Sequence, residues 1–255
     1  RPIEAEELGG WKLLTGISGL ADLAVETDEQ ALDAIKRFLS YLPGHHREPP
    51  PEHPVPPGSD DACRKIFDIL PESRNKVYDV RKIVTAIVDT GSGFELKERF
   101  GKSIATVLAR LDGKSVGFIA SNPLFKGGAL DADACQKVTS FMVLCDSFNV
   151  PLVFLVDVPG FLIGVEGEMR GMPGKVINWM NALSLVTVPK ITIILRKSYG
   201  QAYINMAGGK GADEVALWPM ADLGFMDPAV SVNVLHGVKQ EDDPERFRQL
   251  VAEVE

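Results

Sequence analysis

The sequence predicts an α/β fold, and two observations predict it. Residues 152–156 and 191–195 are nearly continuous apolar runs, each about a strand long, and each is followed by a turn rich in glycine or proline. Runs of that kind suit strands covered on both faces. The remaining signals follow the order strand–strand–helix, then strand–helix several times over, as in helices layered on a sheet. Val158-Pro159-Gly160-Phe161 follows the first run and Ser198-Tyr199-Gly200-Gln201-Ala202-Tyr203 the second. Small residues there let a ligand approach the backbone. A helix opening near Gly200 leaves its first N–H groups without partners inside the helix, at the positive end of its dipole. Such a donor pair suits an oxygen that gains negative charge. An ordinary strand–helix connection looks the same in sequence, so both readings stay open on these residues alone.

Taken in order, residues 1–24 show no clear period. Thr27 and Gln30 have capping-box spacing, and Leu32, Ile35, Phe38 and Leu39 then share one face of a helix that should stop before Pro43-Gly44. Residues 45–59 hold many prolines and predict an extended linker, the best domain boundary in the chain. His45, His46 and His53 lie in it, but a proline-rich segment has no rigid geometry to hold a metal, and a solvated linker is the expectation. Residues 63–70 and 78–88 predict helices, the second with Val80, Ile83, Val84 and Ile87 on one face. Phe94-Glu95-Leu96 predicts a short strand. Residues 104–111 and 115–120 flank Asp112-Gly113, a hairpin signal. Asp131 should cap a helix whose apolar face is Ala134, Val138, Phe141, Met142, Cys145 and Phe148. A helix is expected over 176–186 with Met180 and Leu183 inward, short strands over 214–218 and 223–226, and helix over 228–235 and in the tail from Lys239.

Composition narrows the function. A chain of 255 residues with 45% hydrophobic and 24% charged residues is ordinary globular material. A net charge of −8 argues against nucleic acid as the main partner. The apolar stretches are too short to span a bilayer. Cys63, Cys135 and Cys145 lack any CxxC spacing, so reduced thiols in a cytoplasmic-type compartment are expected. The chain starts at Arg1 rather than Met, which reads as a fragment, a processed chain or a trimmed one.

Several familiar site types are missing from the sequence. Gly101-Lys102-Ser103 and Gly113-Lys114-Ser115 lack the upstream glycine of a P-loop, and neither a GxSxG elbow nor an HExxH motif occurs. Asp157 ends a strand, where it could be catalytic or could hold the following turn. No histidine falls within 151–226. Backbone donors without a protein base point to an oxyanion hole whose acid–base partner belongs to a substrate or cofactor.

The strings DSFNVPLVFLVDVPGFLIG at 146–164, TVPKITIILRKSYGQAY at 187–203 and ALWPMADLGFM at 216–226 resemble the biotin-dependent acyl-CoA carboxyltransferases, propionyl-CoA carboxylase β subunits in particular. Glu6-Glu7-Leu8-Gly9-Gly10, Tyr41-Leu42-Pro43 and Gly128-Ala129-Leu130-Asp131 agree, so the resemblance covers nearly the whole chain. It implies a crotonase-like ββα-spiral with an N-terminal helical appendage. Residues 1–44 would end an N-terminal carboxyltransferase domain, 45–59 would be the linker and 60–255 the C-terminal domain. It also implies that the carboxyl group passes from carboxybiotin on a carrier to the α-carbon of a short-chain acyl-CoA. The two meet between the N-terminal domain of one subunit and the C-terminal domain of another. This chain would then carry half of the active site.

The resemblance further implies roles for residues. The backbone N–H groups of Gln201 and Ala202, after Gly200, match the hole for the biotin ureido oxygen, with Gly160, Phe161 and Tyr199 around it. Ile204, Tyr78, Asp79 and Phe94 match the acyl-CoA side, and no bound metal is expected. The implied partners are a biotin carboxylase and biotin carrier subunit, the chain's own N-terminal domain, and further copies in a dimer to hexamer; the implied location is cytoplasmic or the mitochondrial matrix. Two departures stand out. Gln201 replaces the usual glycine, and Lys175-Val176-Ile177-Asn178 replaces a run that normally has Gly-Ala-Lys after its basic residue, which leaves the acceptor open. Other readings are a decarboxylase or transcarboxylase subunit, a non-catalytic module that docks the biotin carrier, and a hydratase or hydrolase acting without biotin. The last would want carboxylates beside the hole, where only Asp157, Glu166 and Glu168 offer themselves.

Overall fold

The computed structural model describes residues 2–254; Arg1 and Glu255, the outer bounds of the expected segments, lie outside them. The aperiodic N-terminal stretch forms two short helices, α1 (Ala5–Gly9) and α2 (Trp11–Gly16). Helix α3 (Asp28–Leu39) is capped as its spacing predicts: Thr27 Oγ1 accepts from the Gln30 N–H at 3.2 Å, and Gln30 Oε1 accepts from the Glu26 N–H at 2.9 Å. Only part of its expected apolar face is covered. Ala34 and Phe38 pack on the core, while Leu32, Ile35 and Leu39 stay more than half exposed. The chain then dips inward at Tyr41 and Leu42, both buried.

Residues 45–59 hold no helix or strand up to Ser59, yet they are strapped to the body rather than merely solvated. The His53 N–H donates to the Gly113 carbonyl at 2.9 Å, and Asn149 Nδ2 donates to the carbonyls of His46 and Glu48 at 2.7 and 2.8 Å. After α4 (Ile66–Ile69), Asp79 caps α5 (Val80–Ile87) by accepting from the Arg81 N–H at 3.0 Å. Strand β1 (Phe94–Leu96) leads to the hairpin of β2 (Ile104–Leu111) and β3 (Lys114–Ser121). Asp112 and Gly113 both have positive φ, 51° and 76°, as the tight hairpin turn requires. The Asp89 carboxylate accepts both of their N–H groups. Asp131 caps α6 (Ala132–Ser147) through the Ala134 N–H at 2.9 Å.

Strand β4 (Leu152–Val158) is followed by α7 (Val165–Met169), which the sequence reading missed, and by α8 (Met172–Leu185). Helix α8 begins four residues before the expected position, because Gly171 at φ 67° and Pro173 in the first turn make a good start. Its inward anchors are Met172, Trp179 and Leu183; Met180 is only half-buried. Strand β5 (Lys190–Tyr199) enters α9 (Gly200–Asn205), and β6 (Glu214–Leu217), β7 (Asp222–Gly224), α10 (Pro228–His236) and α11 (Pro244–Val254) complete the chain.

One mixed sheet runs in the order β1-β2-β3-β4-β5-β6, with β7 on the far half of β5. The pairs β1–β2 and β2–β3 are antiparallel and the rest parallel. Helices α6 and α8 cover one face, packing on Leu152, Phe154 and Val156; α5 covers the other, packing on Val153 and Leu155. Alternate side chains of β4 thus enter two cores, which is why its sequence shows no alternation. Each such buried aliphatic or aromatic side chain contributes about 1.5–3 kcal/mol. Among the described residues no helix is long and apolar enough to cross a membrane.

Candidate active site

The site is shaped by a fault in the sheet. Strands β4 and β5 are in register to Val156–Ile194, lose it, and resume at Val158–Ser198, so Asp157 alone faces Leu195, Arg196 and Lys197. Bulges re-aim the strand beyond them. Here the redirected residues are Ser198 and Tyr199, and Gly200 follows.

The bulge is filled by charge. Asp157 and Arg196 are 0% and 1% exposed, and Arg196 Nε donates to Asp157 Oδ2 at 2.8 Å. Asp157 Oδ1 accepts the Lys197 N–H at 3.2 Å, satisfying a donor that the bulge strips of its ladder partner. Arg196 Nη1 donates to the carbonyls of Pro71, Ser73 and Lys76. Tyr78 lies under the guanidinium, 4.9 Å from ring centre to Cζ, and burial with the Asp157 charge holds its phenol well above the ordinary range. The Asp157 carboxylate is thus spent on β5 and its bulge, not on the turn after β4 that the structural reading of the sequence gave it.

Gly200 opens α9 at φ 55°, a conformation that L side chains rarely adopt. A Cβ there would also stand 2.8 Å from the Phe225 carbonyl oxygen. Tyr199, at the N-cap, is extended and offers no side-chain cap. The N–H groups of Gln201 and Ala202 therefore belong to a first turn with no acceptor inside the helix. The Ala202 methyl is buried in the core, whereas Gln201 is exposed. Gln201 Nε2 donates to Asn205 Oδ1 at 2.8 Å and to Met180 Sδ at 2.9 Å, and Asn205 Nδ2 donates to the Val176 carbonyl at 3.1 Å. These bonds staple α9 to α8.

The turn after β4 reaches the same helix α8. Gly160 has φ 146°, and its carbonyl accepts the Leu130 N–H at 3.0 Å. Phe161 stands edge-on to Trp179 with ring centres 6.1 Å apart. Trp179 and Met180 are consecutive, so the 160–161 turn and Gln201 touch adjacent residues of one helix. The structure thus brings Gly160, Phe161, Tyr199, Gly200, Gln201 and Ala202 around the β5–α9 junction, with Ile204, 46% exposed, one turn on. Tyr199 is buried and its hydroxyl donates to Asp222; burial, then that bond, raise its phenol above the usual range.

The other expected residues do not line the junction, although Tyr78 backs its bulge beneath Arg196. Tyr78 belongs to the core against α5, Asp79 caps that helix, and Phe94 lies on β1, separated from β5 by β2, β3 and β4. Phe94 stacks on Tyr41, with centres 6.1 Å apart, under the Arg37 guanidinium. Two residues at the junction escaped the sequence reading. Arg74 and Asp222 are joined at 2.5 Å across a separation of 148 positions, a pairing no local pattern announces.

Sheet, bulge and bare helix start define a crotonase-like α/β protein with backbone donors at a strand–helix junction. The chain belongs to the carboxyl transferase domain family, whose model matches residues 1–255. It is 41% identical over 253 residues to the propionyl-CoA carboxylase carboxyltransferase subunit of Haloferax mediterranei, covering 97% of this chain and 49% of that one. It is 39% identical over 253 residues to the methylmalonyl-CoA carboxyltransferase 12S subunit of Propionibacterium freudenreichii subsp. shermanii, covering 96% and 47%. A transcarboxylase 12S crystal structure, described as a hexamer assembly with hydrolysed methylmalonyl-coenzyme A bound, superposes with a TM-score of 0.91 at 37% identity, covering 99% of this chain and 49% of that one. The chain spans about half the length of the curated relatives it matches.

Proposed function

We propose that this chain supplies the biotin-facing half of an enzyme that moves a carboxyl group from carboxybiotin to the α-carbon of a short-chain acyl-CoA. The observation that carries the reading is Gly200: at φ 55°, with no room for a Cβ against Phe225, it opens α9 so that two backbone donors are left free of helix partners. The ureido oxygen of biotin fits that donor set, since it is small, neutral before reaction, and gains negative charge when the carboxyl group leaves. Bound biotin would supply the activated carboxyl group. The chain's own part is to present the Gln201 and Ala202 N–H groups, to fix them through the α8 staple, and to wall the turn with Gly160, Phe161 and Tyr199. Preorganised donors cost no reorganisation at the moment of reaction. Ile204, Tyr78, Asp79 and Phe94 complete the reading as the acyl-CoA side.

A decarboxylase direction has its own support: the chain is 38% identical over 245 residues to the methylmalonyl-CoA decarboxylase subunit alpha of Propionigenium modestum. One hole lowers the same transition state from either side, so the geometry serves both. The reading includes 1–44 as the end of an N-terminal carboxyltransferase domain, 45–59 as linker and 60–255 as the C-terminal domain. It also includes biotin carboxylase and carrier partners, and assembly with further copies. Exposed Leu32, Ile35 and Leu39 on α3, with Ile163, Met169 and Phe225, support burial against other surfaces. The test is transfer from a carboxylated biotin carrier to acetyl-, propionyl- and butyryl-CoA by the complete protein. Carboxylated thioester is expected; none from any acceptor, with no reverse reaction from methylmalonyl-CoA, overturns the proposal.

A further inference from the structure

We propose that Arg74 is a positioning residue for the donor pair of α9, acting through Tyr199 and Asp222; this rests on the reading of Gln201 and Ala202 as an oxyanion hole. Helix α9 has six residues. A helix that short does not hold its own geometry in water, so the strand feeding it must set the direction of its first N–H groups. The loop at 71–76 grips that strand. Arg196 Nη1 draws in the carbonyls of Pro71, Ser73 and Lys76, and Lys197 Nζ donates to the Arg74 carbonyl at 2.9 Å.

With its backbone held by β5, Arg74 turns its side chain onto the end of the same strand. Nη1 meets Asp222 Oδ2 at 2.5 Å, Nη2 meets Asp227 Oδ2 at 3.4 Å, and Nη1 stands 3.5 Å from the Tyr199 hydroxyl. That hydroxyl donates to the same Asp222 oxygen. Asp222 begins β7, which pairs with β5 over Lys197, Ser198 and Tyr199. Arg196, Lys197 and Tyr199 are thus all fixed to the loop or to its arginine immediately before Gly200. The bulge frees Arg196 and Lys197 from the β4 ladder, and the 71–76 loop supplies constraint there while its arginine supplies it at Tyr199. A displacement of about 1 Å in such a site can cost on the order of 100-fold in rate.

The test uses the complete protein in the carboxyl-transfer assay, with kcat and KM for acyl-CoA measured separately and folding checked by thermal denaturation. Tyr199→Phe removes one oxygen and keeps the ring; Arg74→Met removes the clamp. Both should lower kcat about tenfold while KM stays within about twofold, because the donors are misaimed and not lost. Folded Tyr199→Phe and Arg74→Met with unchanged kcat would overturn the proposal. Ala202→Pro in the same assay separates the two readings. If it loses activity while Arg74→Met does not, only the positioning role fails; if it too keeps full rate, the hole itself fails and the positioning role with it.

Discussion

Asp157 and Arg196 face each other inside the break of the β4–β5 ladder, with Arg196 Nε 2.8 Å from Asp157 Oδ2 and neither side chain reached by solvent. The pair fills the bulge that turns the end of β5. Two charges are buried only because the arginine also satisfies three carbonyls of the 71–76 loop and the aspartate takes the Lys197 N–H. Removing the arginine leaves the Asp157 charge buried with only Lys197 Nζ, 3.9 Å from Oδ1, to answer it, which costs about 3–5 kcal/mol. Arg196→Met should therefore lower the stability of the chain by that amount in urea titrations. A change below about 1 kcal/mol, the range of exposed pairs, would show that the pair does not hold the bulge. Asp157→Asn keeps oxygen and hydrogen-bonding capacity and should cost less than Arg196→Met.

Gly200 gives a second prediction. Gly200→Ala must place a Cβ at φ 55°, at a cost of roughly 1–2 kcal/mol, and within 2.8 Å of the Phe225 carbonyl. The bend after β7 that carries Phe225 must shift or α9 must turn. Transfer activity should fall at least about tenfold, more than the loss of stability alone explains. Wild-type kcat in a folded Gly200→Ala protein would mean that the left-handed start of α9 is not needed.

How much of this was legible beforehand follows from the range of each interaction. Thr27 and Asp131 cap helices through bonds to residues three positions on, and their spacing announced them; Asp79 caps α5 in the same local way, although the sequence pattern placed it inside that helix. The hairpin at Asp112-Gly113 and the doubly buried β4 run were local signals too. Gly200 marked a strand–helix junction, but its residues fit an ordinary connection as well as a donor site, and the family resemblance was what favoured the second. Trp179 was passed over for Met180 because Gly174 and Pro173 hid the true start of α8 and so its phase. The bulge and the Arg74–Asp222 pair depend on residues far apart in sequence, and no periodicity encodes them. Family resemblance pointed to the donor pair proposed at the start of α9; it did not reveal what holds that junction in place.

Lys137 yields a prediction with a pH dependence. It lies buried on α6, and its Nζ donates to the carbonyls of Lys97, Phe100 and Ile104 at 2.8, 3.1 and 2.7 Å. Burial pulls its ammonium down to about 7. In the unfolded chain a lysine titrates at about 10.4. Between those values the unfolded state binds the extra proton, so stability rises with pH through that window and falls to a lower plateau below about pH 7. Lys137→Met removes this slope and orphans three carbonyls, costing about 1–3 kcal/mol. Wild type and variant should be unfolded in urea at pH 6.5, 8 and 9.5. The stability difference should widen with pH; a difference that is flat or narrows would show that the ammonium keeps its ordinary value.

Ile204 tests the acceptor side. It lies on α9 beyond the donor pair and is 46% exposed, so a substitution there need not disturb the core. A β-branched apolar side chain in an acyl pocket discriminates by shape, and one methylene there is worth about 1–3 kcal/mol. Ile204→Asp changes both size and polarity. The ratios of kcat/KM for acetyl-, propionyl- and butyryl-CoA should shift by about tenfold or more. Identical ratios in variant and wild type would remove Ile204 from the acyl pocket.

The donor pair itself is tested by taking away one hydrogen. Ala202 is the third residue of α9, its methyl is buried, and the proposal uses only its backbone N–H. Proline removes that N–H and is tolerated in a first helical turn, although it restricts the residue before it. Ala202→Pro should lower kcat by about 10²–10³, the loss of roughly 2.7–4 kcal/mol that follows removal of one oxyanion donor. Ala202→Ser keeps the donor and adds only a hydroxyl, so it should lie within about threefold of wild type. Gln201→Pro deletes the neighbouring donor but also the side chain that staples α9 to α8, so Gln201→Ala, which loses the staple and keeps the N–H, is its control. Circular dichroism and thermal denaturation establish that each variant folds. If folded Ala202→Pro and Gln201→Pro both stay within about threefold of wild type, the backbone donors do not act in the transition state. If Ala202→Ser falls as far as Ala202→Pro, the site depends on the fit of the buried methyl and not on the hydrogen bond. The expected pattern, two slow prolines and a serine near wild type, follows only when the missing hydrogen is the one the reaction uses.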